Sequence, residues 1–174
     1  MTEQGIRQSF DLTKVMFSRG NISEKIRFGK LVQRGERVLD LYGGIGYFTL
    51  PALVHGGADH VVVCEWNEYA LQALKFNLHD NGVADRSTVY AGDCRAIVEE
   101  NDLVDQFDRV SLGLLPSSEG GWGTAVKALH RSTGGWLHIH GTSIPFLRFQ
   151  ISRFALFSHI ISSIAHPIRE CSGC

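Results

Sequence analysis

The sequence predicts an α/β fold: a parallel sheet with helices on both faces. Two observations carry this. Short apolar runs alternate with segments of helical period between residues 37 and 141. The apolar runs are also continuous rather than alternating, the pattern of strands buried on both sides. A chain of 174 residues has room for one domain with a full core and is short for two.

The elements follow in order. RVLDLY (37–42) reads as a buried strand and YFTLPALVHGG (47–57) as a helix closed by glycine. HVVVCEWN (60–67) is a second strand. EYALQALKFNLHDNG (68–82) sets Ala70, Leu71, Leu74 and Leu78 at helical spacing and stops at Asn81-Gly82. STVYAGD (87–93) is a third strand, followed by a helix around residues 94–101. FDRVSLGLLP (107–116) is a fourth, ended by Pro116, GWGTAVKALHR (121–131) is helical, and GGWLHIHG (134–141) is a fifth strand. Residues 1–141 are therefore read as one domain. After Gly141 the texture changes: residues 142–174 hold one acidic residue, Glu170, and fit neither a helical period nor strand alternation. They are expected to form an atypical tail that partly covers an exposed sheet edge.

Composition narrows the function classes. Hydrophobic content of 44% with 20% charged residues is that of a soluble globular protein. A net charge of −1 gives no global basic field, so a nucleic-acid partner would be held by a local patch or with help from parts outside this chain. Cys64, Cys94, Cys171 and Cys174 show no disulfide-framework spacing, which points to a reducing compartment. The lone C-x-x-C at 171–174 cannot complete a tetrahedral zinc site, and no metal is expected. The first residues lack a basic segment followed by an apolar one, so no signal peptide is read. The most apolar stretch, Phe154–Ala165, is 12 residues long, against about 20 for a spanning helix. No membrane association and a cytoplasmic location are expected.

In a parallel sheet, ligands sit beyond the carboxyl ends of the strands. There, Asp40 to Gly46 reads D-x-x-G-G-x-G between a strand and a helix. Bare backbone at Gly43 and Gly46 allows close approach of a ligand, although a plain tight turn gives the same glycines. The spacing is not G-x-G-x-x-G, and no G-K-[ST] follows. Glu65 ends the second strand about 20 residues on, where a carboxylate can accept from both hydroxyls of a ribose; the bland reading is a solvated loop charge. Asp93 ends the third strand, placed to accept from an adenine amino group or to cap the next helix. Together these ligands describe a nucleoside site without a pyrophosphate cradle, which selects S-adenosyl-L-methionine over a nicotinamide dinucleotide. Tyr42, Tyr47 and Trp66 near these blocks suit either base stacking or core packing. His138 and His140 share one face of the fifth strand and are read as packed residues.

MFSRGNISEKIR (16–27), DLYGGIGYFTLP (40–51), CEWN (64–67), NGVADR (81–86) and LGLLPSSEGGW (112–122) recur in family-like order. On these blocks, residues 10–141 resemble the tRNA wybutosine-synthesising aminocarboxypropyltransferases, class I Rossmann-like relatives of the tRNA guanine-N1 methyltransferases. The resemblance implies transfer of the 3-amino-3-carboxypropyl group from S-adenosylmethionine to 4-demethylwyosine at position 37 of phenylalanine tRNA, so the implied partner is the tRNA(Phe) anticodon loop. A monomer is expected. It implies cofactor contacts at Ser18, Lys25, Asp40, Gly43, Gly46, Glu65, Asp93 and Cys94, with Lys25 and Ser18 on the methionyl end. Cys94 departs from the family's asparagine and offers weaker hydrogen bonding. Pro116, Ser117 and Ser118 are implied to line the acceptor pocket, and no catalytic side chain is assigned. Gly113 stands near the position where the methyltransferase relatives carry asparagine, which favours aminocarboxypropyl over methyl transfer. The resemblance also implies an N-terminal tRNA-recognition region and a sheet incomplete at its C-terminal end. Two alternatives stay open: a guanine-N1 methyltransferase, and an inactive truncated isoform.

Overall fold

The computed structural model describes residues 1–15 and 21–140, together with a backbone strand at 147–151. A two-stranded hairpin comes first, β1 (Thr2–Glu3) and β2 (Ile6–Arg7). Its two loop residues, Gln4 and Gly5, both have positive φ, as tight two-residue hairpins require. Helix α1 (Ile22–Leu31) leads into β3 (Arg37–Asp40). Then come α2 (Thr49–Pro51), continued by a π-helical turn (Ala52–Gly56), β4 (His60–Glu65) and α3 (Glu68–Asp80). The chain goes on through β5 (Ser87–Ala91), α4 (Cys94–Glu100), β6 (Arg109–Leu112), α5 (Trp122–Ala128), β7 (Gly135–Ile139) and β8 (Leu147–Ile151).

The main sheet has the order β5-β4-β3-β6-β7-β8. Its first five strands are parallel, giving the expected Rossmann-like α/β sheet, and β8 pairs with β7 antiparallel. Residues 147–151 thus cover the edge that β7 would otherwise present. The remaining residues of the expected tail, with Cys171 and Cys174, lie outside the described residues. Among the described residues no helix is long and apolar enough to cross a membrane.

Both faces of the sheet are apolar because consecutive strand residues point to opposite sides. Val38, Val61 and Val63 pack with Phe28, Leu53 and Leu74 from α1, the π turn and α3. Leu39, Val62 and Val110 pack with Val98 of α4 and Val126 of α5. Continuous hydrophobic runs such as HVVVC are therefore needed, and both layers are closed.

Two buried polar groups hold these layers in register. Arg109, 1% exposed, donates Nε and Nη2 to the Glu36 carboxylate, both at 2.7 Å, and Nη2 also to the Leu31 carbonyl at 3.0 Å. Its Nη1 lies 2.6 Å from His138 Nε2. A guanidinium only donates, so Nε2 accepts and the imidazole proton sits on Nδ1. Asn77 of α3 accepts from the Ser9 N–H at 2.7 Å and donates to the Ile45 carbonyl at 3.1 Å, tying the N-terminal segment to the glycine loop.

Candidate functional site

The chain leaves β3, builds outwards through β4 and β5, then returns to the other side of β3 as β6. That reversal opens a crevice beyond the strands' carboxyl ends, where ligands bind in such sheets. Here it is a cleft of about 380 Å³, lined among others by Leu41, Cys64, Glu65, Asp93, Gly113 and Asn21. The volume falls in the range of small-molecule sites, about 300–1,000 Å³.

Glu65, at the end of β4, is held by backbone. Its Oε2 accepts from the Gly44 N–H at 2.7 Å, and its Oε1 from Trp66 and Asn67 N–H at 2.9 and 2.8 Å. A carboxylate has about four acceptor positions, so one remains for a ligand hydroxyl. The Gly44 bond couples the β3 loop to the end of β4. Asn67 then caps α3, its Oδ1 accepting from Tyr69 and Ala70 N–H. This role was readable from an asparagine directly before the periodic run.

Asp93 caps α4, accepting from the Arg95 N–H at 2.9 Å, and its Oδ2 pairs with Arg95 Nη2 at 2.5 Å. The Arg95 hydrogen bonds hold its carboxyl down to about 2, so it is ionised across the physiological range. Asp93 and Arg95 both line the cleft. Burial pushes the thiols of Cys94 and of neighbouring Cys64 up, so both present neutral sulfur to the cleft. Tyr42 and Tyr47 line it half-buried, and Trp66, 73% exposed, stands at its rim.

Other expected residues lie elsewhere. Lys25 is buried and off the cleft wall: its Nζ pairs with Glu3 Oε2 at 2.5 Å and lies 5.6 Å from the centroid of Tyr47, which does face the cleft. The N-terminal hairpin, unread in the sequence, supplies that partner. Ser18 lies outside the described residues. Asp40 is buried behind the glycine loop, where Thr49 Oγ1 donates to its Oδ2 at 2.7 Å and Oδ1 has no hydrogen-bond partner. Burial, with a smaller push from Glu65, moves its carboxyl up to about 6, against the Thr49 hydrogen bond and the Tyr42 backbone.

Gly43 and Gly46 are bare for packing. A Cβ on Gly43 would come within 2.2 Å of Val63 Cγ1; one on Gly46, where φ is +104°, would lie 2.9 Å from Leu50. Of the loop glycines, Gly44 lines the cleft. Pro116 and Ser117 are exposed past the cleft's edge, while Leu114 and Leu115 before them line it. Gly113 is closed to side chains, because a Cβ there would stand 2.9 Å from the Phe48 ring. His140 stacks on Phe48 at 4.1 Å, and His138 meets Phe28 edge-on at 4.9 Å. Burial lowers the His140 imidazole to about 4 despite nearby Glu24, so both histidines are packed, as read.

A family model described as the TRM5/TYW2 methyltransferase domain matches residues 1–159. The tRNA wybutosine-synthesizing protein 2 homolog of Danio rerio is 56% identical over 142 residues, 81% of this chain and 34% of that protein. Its Homo sapiens counterpart is 54% identical over 138 residues, 79% of this chain and 30% of that protein. The chain thus spans about a third of the length of these relatives. Among solved structures, TYW2 of M. jannaschii in complex with AdoMet superposes with a TM-score of 0.71 at 28% identity, covering 79% of this chain and 59% of that one. The M. jannaschii tRNA m1G37 methyltransferase gives 0.69 at 25% identity over 79% of this chain and 39% of that one. On a match across nine-tenths of its length, and on a Rossmann-like sheet with one acidic residue at the end of β4 and another after β5 at the cleft, the chain belongs to the TRM5/TYW2 methyltransferase domain family.

Proposed function

We propose that this chain binds S-adenosylmethionine and transfers its 3-amino-3-carboxypropyl group to 4-demethylwyosine at position 37 of phenylalanine tRNA, in the anticodon loop. The observation that carries the reading is the Glu65 carboxylate, fixed by three backbone N–H groups at the switch-point cleft with an acceptor position left over. The AdoMet complex of the M. jannaschii TYW2 relative supports the choice of ligand.

The residues present suit that ligand. Glu65 would take a ribose hydroxyl at its remaining acceptor position and ionised Asp93 the adenine amino group, while Ala70 and Leu41 supply apolar surface. The bound sulfonium supplies an activated carbon: the acceptor carbon bonds to the methionyl γ-carbon, the carbon–sulfur bond breaks with its electrons retained by sulfur, methylthioadenosine leaves, and the acceptor's proton passes to water. The protein's part is then mainly to orient two reactants, which by itself removes a large share of a bimolecular barrier. No covalent intermediate with the chain is needed.

Gly113 argues against methyl transfer to guanine. The methyltransferase relatives' asparagine near this position needs space that the Phe48 ring occupies here. The test is product analysis on tRNA(Phe) bearing 4-demethylwyosine. A mass gain of one aminocarboxypropyl group supports the proposal; a gain of one methyl group favours the second reading. An unmodified tRNA with demonstrable S-adenosylmethionine binding assigns this chain to cofactor binding alone.

A further inference from the structure

β6 lies on the opposite side of β3 from β4 and β5, so the cleft has two halves. Of the charged residues that line it, Glu65 ends β4, while Asp93 and Arg95 follow β5. The lining residues that follow β6 are Gly113, Leu114, Leu115 and Gly120, and none of these four brings a polar side chain. A nucleoside held by Glu65 and Asp93 occupies the first half and leaves the second to the other reactant.

The segment after β6 is fixed at both ends. At its start the Leu112 carbonyl accepts from the His140 N–H at 3.1 Å, and Gly113 lies so close to Phe48 that a Cβ would stand 2.9 Å from the ring. At its far end Ser118 is buried off the cleft. Its Oγ accepts from Trp122 Nε1 at 3.3 Å and its carbonyl from the Gly121 N–H at 2.9 Å. Between these anchors Leu114 and Leu115 are 38% and 42% exposed. A single exposed leucine is ordinary. Two consecutive ones lining a cleft hold apolar surface in water that a bound ligand would cover.

We propose that Leu114 and Leu115 form an apolar shelf that receives the acceptor base and selects the tricyclic base over guanine. This rests on the function proposed above. The third ring of 4-demethylwyosine is built over the edge on which guanine carries its N1–H and amino group. Guanine set against the leucines leaves those donors without a partner, which costs free energy. The tricycle presents ring carbons to the same surface, and covering them is favourable.

NMR titration of the 174-residue chain, saturated with methylthioadenosine so that no transfer occurs, measures its affinities for 4-demethylwyosine and guanosine as free nucleosides. Wild type is expected to prefer 4-demethylwyosine by about tenfold or more, the discrimination an apolar pocket gives. Replacing both residues, Leu114→Asn with Leu115→Asn, weakens 4-demethylwyosine about tenfold and removes the preference. The alanine pair, which strips the apolar surface without adding a polar group, moves in the same direction and carries the comparison should the asparagine pair fail to fold. The methionine pair keeps the preference. Affinity for S-adenosylmethionine, read by calorimetry on the same samples, stays within about twofold of wild type, as for independent sites. Equal wild-type affinity for the two nucleosides, binding of neither, a preference that survives both the asparagine and alanine pairs, or an equal loss of S-adenosylmethionine affinity in those pairs overturns the shelf. If tRNA bearing 4-demethylwyosine still gains an aminocarboxypropyl group, the shelf alone fails and the proposed reaction stands. A wild-type chain that binds no S-adenosylmethionine overturns both.

Discussion

Replacing Asp40 with asparagine removes a titration that the folded chain places near pH 6. In the native structure the carboxyl is fully buried, one oxygen bonded to Thr49 and the other unpartnered, and burial raises it from 3.8 to about 6. The folded state therefore holds this proton more tightly than the unfolded chain does. Its contribution to stability is complete below about pH 4 and is lost as pH rises through about 6. A shift of about two units corresponds to about 3 kcal/mol. Asparagine has the same shape, keeps an oxygen for Thr49, and does not titrate. The difference in unfolding free energy between Asp40→Asn and wild type should thus move by about 3 kcal/mol in favour of the variant between pH 3.5 and pH 7.5. Urea unfolding at half-unit intervals measures it, and taking the difference cancels other titrating groups, His140 included. A difference that stays flat across this window, or moves in favour of wild type, refutes the placement of Asp40 in a dry site.

Glu65→Gln should weaken S-adenosylmethionine binding by about 10–100-fold, the value of hydrogen bonds to a charged acceptor, and calorimetry reads it directly. Arg109→Met should cost about 3–5 kcal/mol in urea unfolding, because Glu36 and the Leu31 carbonyl lose their buried donor; the double variant with Glu36→Gln should recover part of that loss. Gly113→Ala places a methyl group 2.9 Å from Phe48 and should cost about 1–3 kcal/mol as overpacking, with Phe48→Leu restoring stability in the same assay.

Much of the site was legible because parallel strands collect their carboxyl ends at one edge. An acidic residue after each apolar run, Glu65 and Asp93, could then be assigned to one cleft from spacing alone, and the structure brings them to it. The glycine loop was legible as a loop, but its cause was not. Gly43 is bare because Val63 lies against it, and Gly46 because Leu50 does; periodicity carries no information about such contacts. The resemblance alone assigns Lys25 to the methionyl end of the cofactor, and the spacing around it shows no partner. Its partner is Glu3, 22 residues away on a hairpin too short to show any period.

The chain's own sequence determined the layers. Continuous apolar strands alternating with amphipathic helices allow little else, since each run must bury both faces. Tertiary structure alone decided which polar groups face the cleft and which are neutralised behind it. It buried Asp40, paired Lys25 and set β8 against β7. Those outcomes depend on which elements pack together, as when Glu3 of the N-terminal hairpin meets Lys25 of α1, and neighbouring residue types and spacing do not fix that.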